Sequence, residues 1–153
     1  MTGRLAVLLL LAVVSLTGAA LWYLGTYVQY TAFHGPQPGF GPVLELQGIR
    51  KSVSLADIQG IQGDSSPLKF RACFRTDPPV PIPADAAYPD PTPLVAPDWF
   101  GCFDAERIGA DLEADLAQAV LVKGEIASSI DRVVAFYPDG RGYVWHQLSG
   151  YEH

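Results

Sequence analysis

One stretch near the N-terminus constrains this chain more than any other feature of its sequence. From Leu5 to Tyr30 there are 26 consecutive residues without a charged side chain, including four leucines in a row at positions 8–11. A bilayer core about 30 Å thick is crossed by roughly 20 apolar residues in a helix. The 23 residues from Leu5 to Tyr27 are long enough, so we expect residues 1–30 to form a cytoplasmic N-terminus and a transmembrane anchor.

The two ends of this stretch differ in a way that predicts its orientation. Amphipathic rings of the kind found at headgroup level gather at the far end. They are Trp22, Tyr23, Tyr27 and Tyr30. Arg4 is the only basic side chain near either end, since the next is Arg50. The positive-inside rule then places the N-terminus in the cytoplasm and the main domain on the other side of the membrane. We expect a single-pass protein of the bacterial inner membrane with its main domain in the periplasm.

A cleaved signal peptide is the alternative for this leader. Residues 2–4 would be its polar start, Leu5–Leu16 its apolar core, and Gly18-Ala19-Ala20 its small residues at the cleavage site. Against this, the apolar character continues up to Val28, where a mature secreted chain would turn polar. We favour the anchor, and both interpretations export the same domain.

Small side chains form a stripe along the predicted span. Ala12, Ser15 and Ala19 follow helical spacing of three and four, which lets another helix approach closely. The stripe favours contact with an integral membrane protein complex, although small residues are common in any leader. Lipid and such a complex are the partners expected for the span.

The rest of the chain reads as one small acidic domain. It holds all 16 acidic residues and nine of the ten basic ones, and only 17% of the whole sequence is charged. These proportions argue against a nucleic-acid binder and a disordered chain. We expect a linker over residues 31–42, with three prolines and three glycines, and a periplasmic domain over residues 43–153.

Hydrophobic periodicity in this domain predicts an α+β fold. We expect an antiparallel sheet of four or five strands, one main helix and a proline-rich excursion. The predicted strands are Val43–Gln47, Leu68–Arg75 with its cations on the wet face, Ala117–Val122, and a hairpin of Ile130–Tyr137 and Gly142–Leu148 around Asp139-Gly140. The predicted helices are a short turn opened by Ser54–Asp57 and a longer helix from Asp104 to about Leu116, with Ile108, Leu112 and Leu116 on its packing face.

A proline-rich segment interrupts the domain at residues 78–97. Eight of its twenty residues are prolines, which no helix or central strand tolerates. Its apolar side chains, such as Val80, Ile82 and Tyr88, predict that it lies against the domain as an extended polyproline-like excursion rather than as a free linker.

Cys73 and Cys102 are the only cysteines and predict a disulfide in an oxidising compartment. Closing such a loop contributes about 3.5 kcal/mol by chain entropy. The alternatives are a thiol-redox pair, although Cys-x-x-Cys is absent, or a metal site helped by His34, His146 or His153, which lack ligand-set spacing. We expect no metal and no other cofactor.

Motifs for catalysis are missing from the sequence. It has no phosphate loop, dinucleotide-binding glycine motif, nucleophile elbow or His-Glu-x-x-His. Cys102 and His146 could serve as nucleophile and base, but both have better structural explanations. We therefore expect no catalytic residues and no enzyme activity.

Acidic residues are concentrated between Asp77 and Asp115, where nine stand against the single basic Arg107. This run either keeps an exported domain soluble or steers a basic periplasmic partner, such as a soluble c-type cytochrome. The candidate docking residues are Asp104, Asp111, Glu113 and Asp115.

Several blocks of the sequence together resemble a known family. They are Asp64–Pro67, Arg71–Phe74, Ala96–Phe100, Cys102–Ala105, Ile108-Gly109, Ile130–Ala135, Pro138–Gly142 and Trp145–Gln147. The family is one of short single-span envelope proteins of alphaproteobacteria, of unknown function. Some members are labelled histidine kinases, but this sequence has neither a phosphoacceptor helix pair nor nucleotide-binding glycine boxes. The resemblance brings no catalytic residues with it.

The features combined favour a non-catalytic, membrane-anchored accessory or assembly subunit of an inner-membrane complex, respiratory or photosynthetic. A docking module for a basic partner is the first alternative. A thiol-redox or metal-handling chaperone that uses the two cysteines is the second.

Overall fold

The computed structural model describes residues 3–150 and begins with a long apolar helix. α1 spans Gly3–Tyr23, and one π-helical turn follows over Leu24–Val28. The segment Gly3–Val28 has a mean hydropathy of 2.4, and its most apolar window is entirely uncovered by the rest of the chain. The helix is therefore long and apolar enough to cross a membrane, as the uncharged stretch predicts.

Eight strands follow, and six of them form one antiparallel sheet. Their bounds are β1 Thr31–His34, β2 Val43–Leu46, β3 Lys51–Ser54, β4 Ala56–Gln62, β5 Phe70–Arg75, β6 Gln118–Ala127, β7 Ile130–Phe136 and β8 Arg141–Leu148. The large sheet has the order β1-β4-β5-β8-β7-β6, and β2 pairs with β3 in a separate two-stranded sheet. One further α-helix, α2, spans Ala105–Glu113. The α+β class is confirmed, while the prediction of four or five strands is wrong.

The head, residues 31–150, buries both faces of the large sheet. One face packs against the β2–β3 pair through Leu44, Leu46 and Val53. The other face packs against α2 and the proline-rich segment, with Trp145 fully buried at its centre. Because side chains alternate along a strand, each central strand contributes to both cores.

Two local predictions fail because tertiary packing outweighs the local sequence signal. Thr31–His34, assigned to the linker 31–42, forms the edge strand β1 and pairs with β4, and the Phe33 ring lies over Gly60. The segment Ser54–Asp57 is not helical, because β3 ends at Ser54 and β4 begins two residues later. A register shift between Ala56 and Gln59, with Asp57 in a left-handed backbone, lets Leu55 and Ile58 enter the same core although they are three residues apart.

The main helix and the hairpin are confirmed, with changes at their ends. Asp104 caps α2 by accepting a hydrogen bond from the Arg107 backbone nitrogen at 3.0 Å. The helix ends at Glu113 because Asp115 adopts a left-handed backbone, so Leu116 is exposed instead of lying on the packing face. β7 and β8 pair from Ile130 with Leu148 to Phe136 with Gly142.

Candidate functional site

The proline-rich segment, residues 78–97, is hereafter the strap, because it lies across the sheet and the sheet's polar side chains hold it. Val80 and Ile82 pack on one core, and Tyr88 is buried in the other, so the strap passes around the β6 edge. At that edge the Tyr88 backbone nitrogen donates to the Ala119 carbonyl oxygen at 2.8 Å. The expectation that this segment lies against the domain is confirmed.

Arg71 on β5 is the main anchor of the strap. Its Nε donates to the Leu94 carbonyl oxygen at 2.7 Å, and one terminal nitrogen donates to the Val95 carbonyl oxygen at 3.3 Å. The other terminal nitrogen donates to the carbonyl oxygens of Leu68 and Phe70, both at 2.6 Å. Extended proline-rich chain makes no internal hydrogen bonds, so its carbonyls need outside donors, and a guanidinium supplies several in one plane.

The environment of Arg71 corrects the prediction that the cations of β5 lie on the wet face. The side chain is only 3% exposed, and its guanidinium lies over the Phe103 ring at 5.9 Å. Burial lowers the pKa of Arg71 to about 10, which leaves it charged at neutral pH. Arg75, four residues further along the same face, is exposed as predicted.

Two further side chains on the same face hold the strap. Gln147 accepts from the Thr92 backbone nitrogen at 2.7 Å and donates to the Asp90 carbonyl oxygen at 3.2 Å. Asp131 accepts from the Tyr88 hydroxyl at 2.8 Å. Within residues 3–150, every buried side-chain nitrogen and oxygen has a hydrogen-bond partner. The buried polar groups of this face are therefore used to fix the strap.

The predicted disulfide is present and fixes the end of the strap region. Cys73 on β5 is bonded to Cys102, which precedes α2. The bridge lies at an open groove of about 530 Å³, which Arg75, Arg141 and Tyr143 also line. Arg71 and Cys73 are two residues apart and lie on the same face of β5. The disulfide and the hydrogen bonds of the Arg71 guanidinium are therefore next to each other.

His146 lies on the opposite face of the sheet, in a closed cluster with Arg132. Its Nε2 accepts from the Arg132 Nε at 2.9 Å, and its Nδ1 lies 2.5 Å from the Pro67 carbonyl oxygen. Nδ1 must therefore carry the proton of a neutral ring. The ring stacks on Phe70 with centroids 4.5 Å apart. This arrangement separates His146 from the cysteines and gives it no nucleophile to activate.

We expect acid to destabilise the head through His146. Burial, followed by the neighbouring Arg132 charge, lowers the pKa of His146 to about 3. An unfolded histidine titrates near 6.5, so between these values the unfolded chain binds more protons and the free energy of unfolding falls as pH falls. The free energy of unfolding changes by at most about 1.4 kcal/mol per pH unit through this group, and the dependence vanishes above pH ~7.5.

Thermal unfolding of the full chain in non-ionic detergent, followed from pH 8 to pH 5, measures this dependence. His146→Asn should be less stable at pH 8 but should lose most of the slope between pH 5 and 6.5. Carboxyl groups titrate mainly below this window, which keeps the histidine contribution separate. An unchanged slope in His146→Asn would contradict the assignment.

Among the described residues, no three His, Cys, Asp or Glu side chains are grouped so that they could hold a metal ion. His34 is exposed at the end of β1, and His146 is engaged with Arg132 and Pro67. His153 lies outside the described residues. The cysteine sulfurs are bonded to each other.

The four candidate docking carboxylates fall into two groups. Asp104 serves as the helix cap, and Asp111 accepts from the Tyr137 hydroxyl at 2.8 Å, with the Arg107 Nε 4.0 Å away. Glu113 and Asp115 are exposed at the end of α2. Two of the four therefore have structural partners, and the role of the group in docking stays a prediction.

The aromatic residues at the end of the predicted span meet the head. The Tyr27 ring contacts Trp22 and Tyr23 at centroid distances of 5.8 and 5.3 Å, and it stacks on Trp99 at 6.4 Å. Trp99 also donates from Nε1 to the Thr26 carbonyl oxygen at 2.7 Å. The four predicted interface aromatics thus surround the junction, which we name the aromatic junction, and Trp99 joins them from the head.

Tyr30 extends the aromatic junction into the head. Its ring meets Trp99 edge-on at 6.4 Å, and the Lys69 ammonium lies 5.6 Å from its centroid. Lys69 also hydrogen-bonds to Gln29 and to the Ser65 hydroxyl. By contrast, Ala12, Ser15 and Ala19 lie on the uncovered surface of α1, so their predicted role in helix packing stays a prediction.

A model described as a family of unknown function (DUF6446) matches residues 43–152. The chain belongs to this family. The match confirms that the chain is a member of a family of unknown function, as the resemblance predicted; the bacterial group and the envelope location of that resemblance remain expectations. No curated protein sequence and no solved structure matches the chain significantly.

The residues that organise this DUF6446 head were not the ones singled out by sequence reasoning. Arg71, Asp131 and Gln147 hold the strap, and Trp99 joins the head to the span. No local signal marked them, since each has another polar or charged residue beside it or two positions away. Their partners depend on contacts far along the chain.

Proposed function

We propose that this chain is a non-catalytic, membrane-anchored accessory or assembly subunit of an inner-membrane complex, respiratory or photosynthetic. In this proposal the N-terminus is cytoplasmic and the head is periplasmic. Arg4, before the apolar stretch, and the aromatic belt at its far end support that orientation.

The observation that carries the proposal is the use of the buried polar groups in the head. Each of four buried side chains bonds to the fold itself: Arg71, Asp131 and Gln147 hold the strap, and His146 bonds to Pro67 in the turn before β5. A catalytic group needs an open position beside its reactive atom. Groups closed by internal hydrogen bonds support a rigid binding module instead.

The uncovered helix supports a role in assembly. No residue in the most apolar window of Gly3–Val28 is buried against the head. A single span has no helix partner within its own chain, so its packing surface is available to another membrane protein. The aromatic junction would hold the head in one orientation above such a partner.

Blue native electrophoresis of the tagged full chain, solubilised in mild detergent from its own membranes, tests the proposal. We expect the chain to migrate with a complex much larger than a monomer. Migration at the monomer position alone would count against an accessory role.

The small-residue stripe gives a matched pair of variants for the same gel. Ser15→Leu with Ala19→Leu adds bulk on the proposed contact face, and we expect it to abolish comigration. Ala6→Leu with Thr17→Leu adds bulk on the opposite face of the same helix and should leave comigration intact. Equal effects of the two pairs would show that the stripe does not define the contact.

Docking of a basic partner, such as a soluble c-type cytochrome, is the second candidate. The groove between the strap and α2, about 640 Å³ in volume, is lined by Asp90, Glu106 and Glu113. Charge reversal at Glu113 and Asp115 should weaken binding in a salt-sensitive manner, because it replaces attraction to a basic partner by repulsion. Both side chains are exposed, whereas Asp104 and Asp111 are hydrogen-bonded within the fold. Unchanged binding would remove this candidate.

A further inference from the structure

We propose that the head is seated on the bilayer, with the Trp99 indole embedded in the lipid interface beside the end of the span. This inference rests on the anchored topology of the proposed function, and it assigns a lipid-contact residue within the head itself. The occupant of this surface is the phospholipid headgroup region.

The depth of Trp99 follows from its contacts with the span. Tyr27 lies 22 residues beyond Leu5, a rise of about 33 Å in a helix. A tilt of about 20° reduces the height to roughly 31 Å, and the hydrocarbon core is about 30 Å thick. Tyr27 therefore lies at the outer boundary of the hydrocarbon when Leu5 lies at the inner one.

Trp99 is held to that same level by two contacts. Its ring stacks on Tyr27 with centroids 6.4 Å apart, and its Nε1 donates to the Thr26 carbonyl oxygen at 2.7 Å. The layer between hydrocarbon and water is about 5–7 Å thick on each side of the bilayer. A ring in contact with both residues cannot stand clear of that layer.

The chemistry of the contact suits an interfacial tryptophan. The last carbonyls of a helix lack intrahelical donors, and Trp99 supplies one to Thr26 from outside the helix. Its half-buried ring packs against Tyr27 and Tyr30 while its polar edge is hydrogen-bonded, and such amphipathic rings are enriched at membrane interfaces. Asp98 is exposed beside it, so the contact depends on the indole and not on attraction to anionic lipid.

The position of Lys69 agrees with this seating. Its ammonium lies beside the Tyr30 ring and hydrogen-bonds to Gln29, so it is held just beyond the end of the candidate span. This is the height at which lipid phosphates begin, where a lysine is favoured. Lys69 and Trp99 come from separate loops of the head, and both meet the same short stretch of chain after Val28.

Quenching of tryptophan fluorescence by brominated phosphatidylcholine measures the depth of Trp99 directly. The full chain is reconstituted in vesicles of this lipid, brominated at either a shallow or a deep acyl position. Trp22→Phe leaves Trp99 and the fully buried Trp145 as reporters, and Trp22→Phe with Trp99→Phe leaves Trp145 alone as the baseline. Trp99→Phe, which keeps Trp22, reports whether the span has inserted.

We expect Trp22→Phe to be quenched, more strongly by the shallow than by the deep bromines, and the double variant to lose most of that quenching. If Trp99→Phe is quenched while Trp22→Phe matches the baseline, the head stands off the bilayer and the inference is wrong although the anchor survives. If Trp99→Phe is also unquenched, the span is not inserted, and the anchor and the inference fail together.

Acrylamide quenching of Trp22→Phe provides a second measurement that needs no change at Trp99. Vesicles should protect Trp99 from this aqueous quencher relative to the same variant unfolded in urea. A Trp99 that is as accessible to acrylamide in vesicles as in the unfolded chain would overturn the seating.

Discussion

Replacing Arg71 with methionine should lower the free energy of unfolding of the head by about 2–3 kcal/mol, because hydrogen bonds to a charged group contribute about 1.5–3 kcal/mol. The guanidinium donates to four carbonyl oxygens, two of them on the strap. Methionine matches much of its length but donates nothing, so the carbonyls, one buried and three part-buried, lose this partner. Urea unfolding of the full chain in non-ionic detergent, followed by near-ultraviolet circular dichroism, measures the loss.

Arg75 provides the matched control for this substitution. It is the same residue type on the same face of β5, but it is exposed. Arg75→Met should change the free energy of unfolding by no more than about 0.5 kcal/mol. Arg71→Lys should fall between the two, because an ammonium is a point charge that cannot reach carbonyls on both sides at once. Equal losses in the free energy of unfolding for Arg71→Met and Arg75→Met would contradict the role of Arg71 as the anchor of the strap.

Removing the disulfide should lower the free energy of unfolding by about 3.5 kcal/mol on the chain-entropy model. Cys73 and Cys102 are 29 residues apart, and the whole strap lies within the loop that they close. Cys73→Ala with Cys102→Ala frees that loop in the unfolded chain, while the side-chain clamps still hold the strap in the folded one. The same urea titration measures the change.

Thiol chemistry separates a structural bridge from a redox-active one. The bridge should resist alkylation after mild dithiol treatment of the folded chain and should become alkylated only after unfolding with reduction. Rapid labelling of the folded protein, together with a negligible loss of stability in the double alanine variant, would contradict a structural role and favour thiol exchange at the open groove beside Arg75 and Arg141.

The parts of the fold that the sequence predicted are those specified by local signals. The hairpin from Ile130 to Leu148 follows from two β-branched and aromatic runs around Asp139-Gly140, and Gly140 adopts the left-handed backbone that such a turn needs. α2 follows from its Asp104 cap. The alternation of apolar and polar residues identified β5, because this pattern too is a local signal.

The remaining elements depend on contacts between distant residues. β1 is only four residues long and becomes a strand because β4 lies beside it. Arg71 looked exposed because alternation alone assumes one wet face, whereas the strap covers that face and supplies carbonyl acceptors. The contact between Trp99 and Thr26 spans 73 residues, so no local pattern contains it.

Taken together, the head is a sheet with both faces covered, one by the β2–β3 pair and the other by α2 and the strap. Polar side chains on the strap side form hydrogen bonds with backbone atoms of the strap. These bonds hold the irregular, proline-rich segment in one position. The aromatic junction connects this head to the end of the apolar helix. The proposed function requires in addition that the head is exported and that the helix is retained.

The intact mass of the chain purified from the membrane fraction of the cells that produce it tests that arrangement most directly. We predict the mass of a polypeptide that begins at Met1 or Thr2, with the apolar helix retained and the cysteines joined. A mature polypeptide that begins near Leu21 and is recovered from the soluble fraction would contradict the anchor and, with it, the proposed function and the seating of Trp99 on the bilayer.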